Sequence, residues 1–129
     1  MHKTKLALVG AGTIGQRHLQ AISQVEEAEL TAIVDNQAQA ESISKEMNVP
    51  FFNTTEEMLH ALKPEGVIVC TPTEIHLEPV LSSLNAGAHV LVEKPITSTK
   101  EEAQEIIKTS QTAHRDVLVG HHRRYYSTI

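Results

Sequence analysis

Apolar residues along this chain fall into short continuous runs, separated by longer stretches in which they recur every three or four positions. The runs at 5–9, 30–35, 50–53, 67–70, 89–93 and 117–120 read as strands, and the stretches between them as helices. The first helix spans 13–24, with Ile14, Ala21, Ile22 and Val25 on one stripe and His18 on the same stripe, as a polar contact where helix meets sheet. The second spans 38–47, with Ala40, Ile43 and Met47 on one face. A third opens at Thr54, which forms a capping box with Glu57, and carries Met58, Leu59 and Leu62 inward. Lys63-Pro64-Glu65-Gly66 breaks the chain. A fourth helix follows 71–76; it tolerates Pro79 in its first turn and stops near Gly87. Ser98, followed by Glu101, caps a fifth over 99–113, with Ala103, Ile106 and Ile107 on its inner face.

Such regular alternation of strand and helix implies an α/β fold, a Rossmann doubly wound parallel sheet of six strands with helices on both faces and right-handed crossovers. The expected strand order is 3-2-1-4-5-6. Ligands then bind at the C-terminal edge of the sheet, near the switch between the first and fourth strands.

That edge carries a motif. Leu6-Ala7-Leu8-Val9 runs into Gly10-Ala11-Gly12-Thr13-Ile14-Gly15, a G-x-G-x-x-G turn that opens a helix. Gly10 allows a sharp turn out of the strand, Gly12 lets a pyrophosphate approach the backbone, and Gly15 lets the helix pack closely on the strand. The helix N-terminus offers free N–H groups and a partial positive charge to phosphates. About 20 residues further on, the spacing expected of a dinucleotide site, Asp35 closes the second strand. Its carboxylate suits the adenosine ribose hydroxyls and repels a 2′-phosphate, and Asn36 and Gln37 supply no cation to attract one. The reading is NAD in preference to NADP; the alternative for Asp35 is a cap for the helix that follows.

The 129 residues suffice for one domain and are 40% hydrophobic but only 3% aromatic, so the core is aliphatic. A net charge of −5 gives no surplus of cations for nucleic acid. The single cysteine, Cys70, excludes an internal disulfide and fits a reducing compartment; it reads as a packing residue, not a nucleophile. With no run long enough for a membrane span, and residues 1–5 leading straight into the first strand, the expectation is a soluble cytoplasmic protein without a signal peptide.

Four segments end strands at the functional edge: 10–15, 71–76, 93–95 and 121–125. Lys94 is the leading catalytic candidate, since an ammonium at a strand end can bind a substrate oxygen, stabilise developing negative charge or pass a proton. Glu93 can orient it. His76, His121 and His122 are candidate proton carriers or substrate contacts, and Arg123 and Arg124 can hold an anion. No zinc-type spacing is present in the sequence, and no metal is expected.

Gly10-x-Gly12-x-x-Gly15-x-x-His18, Thr71-Pro72-x-x-x-His76, Glu93-Lys94-Pro95 and Gly120-His121-x-x-Arg124-Tyr125, in this order and spacing, resemble the Gfo/Idh/MocA oxidoreductases over essentially the whole chain. The resemblance implies an NAD(P)-dependent dehydrogenase of a sugar, cyclitol or related hydroxy compound. It implies that Lys94 sits by the nicotinamide and the substrate, that the Lys94-Pro95 bond is cis, and that Thr71 and Pro72 lie along the nicotinamide ribose. The expected cofactor-binding set is Gly10, Gly12, Thr13, Ile14, Gly15, Asp35, Thr71, Pro72, His76, Glu93 and Lys94, with His122 and Arg124 as substrate contacts. Members of the family are roughly twice this length or more; their second α/β domain carries most substrate contacts, the homo-oligomer interface and, in many, an Asp and a His for proton transfer. Residues 1–122 are then the cofactor domain and 123–129 the start of the crossover into a second domain absent from this chain. That catalytic His has no matching position here.

Two other classes of function compete with a dehydrogenase: a non-catalytic NAD-binding module, including an inactive fragment, and a methyltransferase that uses S-adenosylmethionine. Lys94 tells against the non-catalytic module, and the Glu93-Lys94-Pro95 segment with the second-glycine spacing tells against the methyltransferase; the inactive fragment stays open.

Overall fold

The computed structural model describes residues 2–94 and 96–120. Six strands, β1 (Thr4–Val9), β2 (Ala28–Val34), β3 (Phe51–Phe52), β4 (Gly66–Val69), β5 (His89–Glu93) and β6 (Val117–Gly120), form one sheet in the order β3-β2-β1-β4-β5-β6. Every pairing is parallel. The helices are α1 (Thr13–Ser23), α2 (Gln39–Met47), α3 (Thr55–Ala61), α4 (Leu77–Asn85) and α5 (Lys100–Ala113), with a 3₁₀ turn at Thr73–Ile75 before α4. This is the doubly wound Rossmann architecture and strand order expected from the alternation.

The two faces of the sheet bury separate clusters, because successive residues of a strand point to opposite sides. Ala7, Val9, Val67, Val69, Val90 and Val92 pack with Met58, Val80, Leu84 and Ile106 of α3, α4 and α5. Leu8, Ile33 and Ile68 pack with Leu19 and Ile22 of α1 and Ala40 of α2. All four residues of β4 are buried, as a central parallel strand covered on both sides requires.

Several inner faces differ from the sequence pattern. In α1 the inward positions are Gly15, Leu19 and Ile22, while Ile14 is exposed in the first turn and Val25 lies beyond the helix end. In α2 they are Ala40 and Ser44; Met47 is exposed at the last turn. Ile107 of α5 is also exposed, leaving Ile106 as its buried residue. The cap of α5 is Thr99, one residue later than expected: its hydroxyl accepts the Glu102 N–H at 3.2 Å. Thr54 caps α3 as read, but only half of the capping box forms, because the Glu57 carboxylate takes the Thr54 hydroxyl and not its backbone N–H. Thr54 Oγ1 accepts from Glu57 N at 3.1 Å and donates to Glu57 Oε1 at 3.1 Å.

Pairing of Val9 with Val69 and of Val69 with Val92 brings the ends of β1, β4 and β5 side by side. The loops that leave them all emerge at one edge, on either side of the point where the chain order reverses.

Candidate functional site

The glycine turn is built by close approach. Gly10 has φ +94°, and a Cβ there would meet the Cys70–Thr71 backbone at 2.8 Å. The two strand ends therefore touch through their main chains. A Cβ on Gly15 would lie 2.0 Å from Gly10 O, so α1 can sit this close to β1 only with glycine at that position. Gly12 differs: a Cβ there meets nothing within 4 Å. Its bare face looks into open space rather than into the protein.

That space is a cleft of about 1110 Å³ at the C-terminal edge, whose lining includes Gly10, Gly12, Thr13, Ile14, Asp35, Cys70, Thr71 and Pro72. The N-terminus of α1 opens on it with no side chain capping it and no acid in its first turn. By contrast, α3 and α5 are capped by threonines and carry two acids each in their first turns. The N–H dipoles of α1 are thus left to an anion in the cleft.

Asp35 stands across from them. Its Oδ2 accepts the Ala11 N–H at 2.7 Å and its Oδ1 accepts the Gln37 N–H at 2.9 Å. It does not cap α2, whose N-cap position is Ala38 and which has no side-chain cap. Two backbone donors orient the carboxylate at the cleft margin, and each oxygen keeps a lone pair for a hydroxyl donor. The donor set fits a dinucleotide: dipoles for a pyrophosphate, a carboxylate for ribose hydroxyls, and a glycine face with room for close contact.

Thr71 and Pro72 continue the wall from the strand end that abuts Gly10. His76, expected among the cofactor-binding residues, is buried at 1% exposure, and both ring nitrogens face main-chain carbonyls: Nε2 to Thr71 O at 2.7 Å and Nδ1 to Ile96 O at 3.1 Å. Its polar atoms are engaged by the chain itself, joining the loop after β4 to the loop after β5. Glu93 ends β5 and Lys94 follows it, both outside the cleft lining. Lys94 is exposed. Glu93 is engaged by a residue 75 positions away, His18 of α1, at Oε1···Nε2 2.6 Å. The sequence places His18 on the inner stripe of α1 but leaves its partner open. Cys70 Sγ lies within 4.8 Å of a ring nitrogen of His18 and a carboxylate oxygen of Glu93. Burial pushes the Cys70 thiol up to about 12, with the Glu93 charge adding to the effect. It is therefore an inert thiol at neutral pH. His121, His122, Arg123, Arg124 and the Lys94-Pro95 bond lie outside the described residues.

Comparison with known proteins agrees with this geometry. Residues 4–121 match the Gfo/Idh/MocA family, described as an oxidoreductase family with an NAD-binding Rossmann fold. The chain is 33% identical to 4-carboxy-2-hydroxymuconate-6-semialdehyde dehydrogenase of a Sphingobium species, over 94% of its own length and 39% of that protein. It is 35% identical to glucose-6-phosphate 3-dehydrogenase of Bacillus subtilis, over 97% and 35%. Among solved structures, scyllo-inositol dehydrogenase from Lactobacillus casei with bound NAD(H) and scyllo-inositol superposes with a TM-score of 0.91 at 26% identity, over 98% of this chain and 38% of that one. The chain thus spans little more than a third of the length of these relatives.

Proposed function

The chain belongs to the Gfo/Idh/MocA oxidoreductase family, and from that membership we propose that it is the NAD-binding part of a dehydrogenase acting on a sugar, cyclitol or related hydroxy compound. One observation carries the reading: the uncapped N-terminus of α1 and the oriented Asp35 carboxylate border the same cleft.

The main-chain N–H groups of Gly12, Thr13 and Ile14 hold the pyrophosphate, Gly10 and Gly15 shape the turn that presents them, and the α1 dipole adds to their attraction. Asp35 accepts the adenosine ribose hydroxyls and, as an anion, disfavours a 2′-phosphate, so NAD is preferred over NADP. Thr71 and Pro72 flank the nicotinamide ribose. When bound, NAD takes or gives a hydride at the nicotinamide ring. Lys94 holds the substrate oxygen by hydrogen bonding, stabilises negative charge developing on it and assists its proton transfer. His122 and Arg124 contact substrate.

The relatives are much longer, so most substrate contacts and the homo-oligomer interface are assigned to a second α/β domain, and this chain alone is expected to bind cofactor without turning over. Among the described residues no helix is long and apolar enough to cross a membrane. A cytoplasmic site of action is the matching proposal.

Calorimetric titration of the chain with NAD and NADP tests the reading. NAD should bind at least about tenfold tighter than NADP, and Asp35→Ala should remove most of that difference, since a charge-assisted hydrogen bond contributes about 1.5–3 kcal/mol. Preference for NADP would overturn the role given to Asp35. Failure of the folded chain to bind either would overturn its reading as a self-sufficient cofactor domain.

A further inference from the structure

Lys94 is exposed at a strand end, where a lysine side chain ordinarily samples many rotamers, yet the chain before and after it meets two histidines: Glu93 meets His18 of α1, and Ile96, two residues on, meets His76 just before α4. We propose that His18 is a positioning residue: through Glu93 it fixes the end of β5 that carries Lys94. The role deepens the reading given above, since it rests on Lys94 working at the nicotinamide end of the cofactor.

Geometry supports it from three directions. His18 Nε2 and Glu93 Oε1 are 2.6 Å apart, at the short end for a hydrogen bond, and their side chains are only 23% and 17% exposed, so water competes weakly for the contact. The Glu93 carboxylate is also hemmed in from the neighbouring strand. A Cβ on Gly120 would press on its oxygens at 3.2–3.3 Å, so glycine there leaves the carboxylate its place. On the far side of Lys94, Ile96 O lies against Nδ1 of the fully buried His76, whose Nε2 faces Thr71 O. With that side anchored inside the protein, the Glu93 side is left to set the direction in which Lys94 leaves the sheet. His18 belongs to α1, the helix that begins at the glycine turn. The contact therefore spans from the cofactor-binding helix to the lysine, across the sheet positions of β1 and β4.

A residue that only filled space would be replaceable by any side chain of its size; a positioning residue needs its hydrogen bond. Two variants separate these roles: His18→Leu keeps the bulk and loses the bond, and His18→Gln keeps an N–H donor. Each is titrated with NAD and with ADP-ribose, the same ligand without the nicotinamide, beside Lys94→Ala. In His18→Leu, NAD affinity should fall about five- to tenfold, as in Lys94→Ala, while ADP-ribose affinity stays within about twofold; His18→Gln should restore NAD. Equal losses for both ligands, or no loss while Lys94→Ala weakens NAD, would overturn the inference. An unchanged NAD affinity in Lys94→Ala itself would instead overturn the role given to Lys94. A cofactor-free readout keeps the two apart. The backbone amide resonance of Lys94 should move in His18→Leu and return in His18→Gln, and a resonance that stays in place in His18→Leu sinks the positioning role whatever Lys94 does.

Discussion

Two glycines three residues apart in one motif carry opposite duties, and single methyl groups distinguish them. A Cβ at Gly15 would sit 2.0 Å from Gly10 O, whereas one at Gly12 meets nothing within 4 Å. Gly15→Ala should therefore force α1 off β1 and cost about 1–3 kcal/mol or more, as overpacking does. Gly12→Ala should leave stability within about 0.5 kcal/mol, as at other open positions, yet weaken NAD binding by filling the cradle. Urea melts beside calorimetric titrations separate the two, and equal destabilisation would refute the division of roles. At Cys70 the prediction concerns pH. Burial, helped by the Glu93 charge, raises the thiol from its ordinary value to about 12. The folded chain then keeps a proton that the unfolded chain releases from about pH 9 upward, so this group's contribution is full below pH 9 and declines as pH rises toward 12. A thiol reagent at pH 8 should label Cys70 slowly in the folded chain and promptly in urea. Fast labelling of the folded chain would show the thiol to be accessible and ionised.

At the scale of elements, the alternation was legible because parallel strands covered on both sides need continuous apolar runs, and β4 supplies one unbroken. Helix phase was less legible. Ile14, Val25 and Ile107 match helical spacing, but the stripe that packs is chosen by neighbours: Gly15 must face β1, which turns Ile14 toward the cleft. The cap of α5 shows the same limit. Ser98 with Glu101 and Thr99 with Glu102 both satisfy the capping pattern, one residue apart. Backbone conformation selects the second, with Thr99 at φ −133°, ψ 158°, and the Thr97 hydroxyl bonded to Thr99 O. Thr99→Ala should thus cost about 1 kcal/mol and Ser98→Ala almost nothing. Thermal melts of the two variants check this, and an equal fall in Tm would return the cap to Ser98. Of the site, the glycine turn and Asp35 were readable because their spacing is local to one β-α-β unit. The His18–Glu93 contact joins residues 75 apart and depends on strand order, which no local pattern encodes.

Across the whole molecule the two faces of the sheet are unequally covered. α3, α4 and α5 pack on one face, and the side chains of Val117 and Val119 of β6 join that core with Ile106. On the other face α1 and α2 lie over the β1–β2 side, α1 reaches β5 through His18, and Leu118 of β6 is left open. Leu91 there is half-buried, and its register partner Leu118 is 65% exposed. Two aliphatic residues on opposite faces of the sheet should therefore differ sharply in what they contribute. Ile106→Ala leaves a cavity in a closed core and should cost about 2–5 kcal/mol. Leu118→Ala removes atoms that already face water and should cost under about 0.5 kcal/mol. Urea denaturation of both variants at micromolar concentration reads the contrast directly. If Leu118→Ala proved as costly as Ile106→Ala, Leu118 would have to be covered in solution, and a concentration-dependent midpoint would identify a second copy of the chain as the cover. Equal and small costs would instead mean that the α5 face is loosely packed. The sheet would then be stabilised from the α1 side, where the glycine turn holds helix and strand in contact.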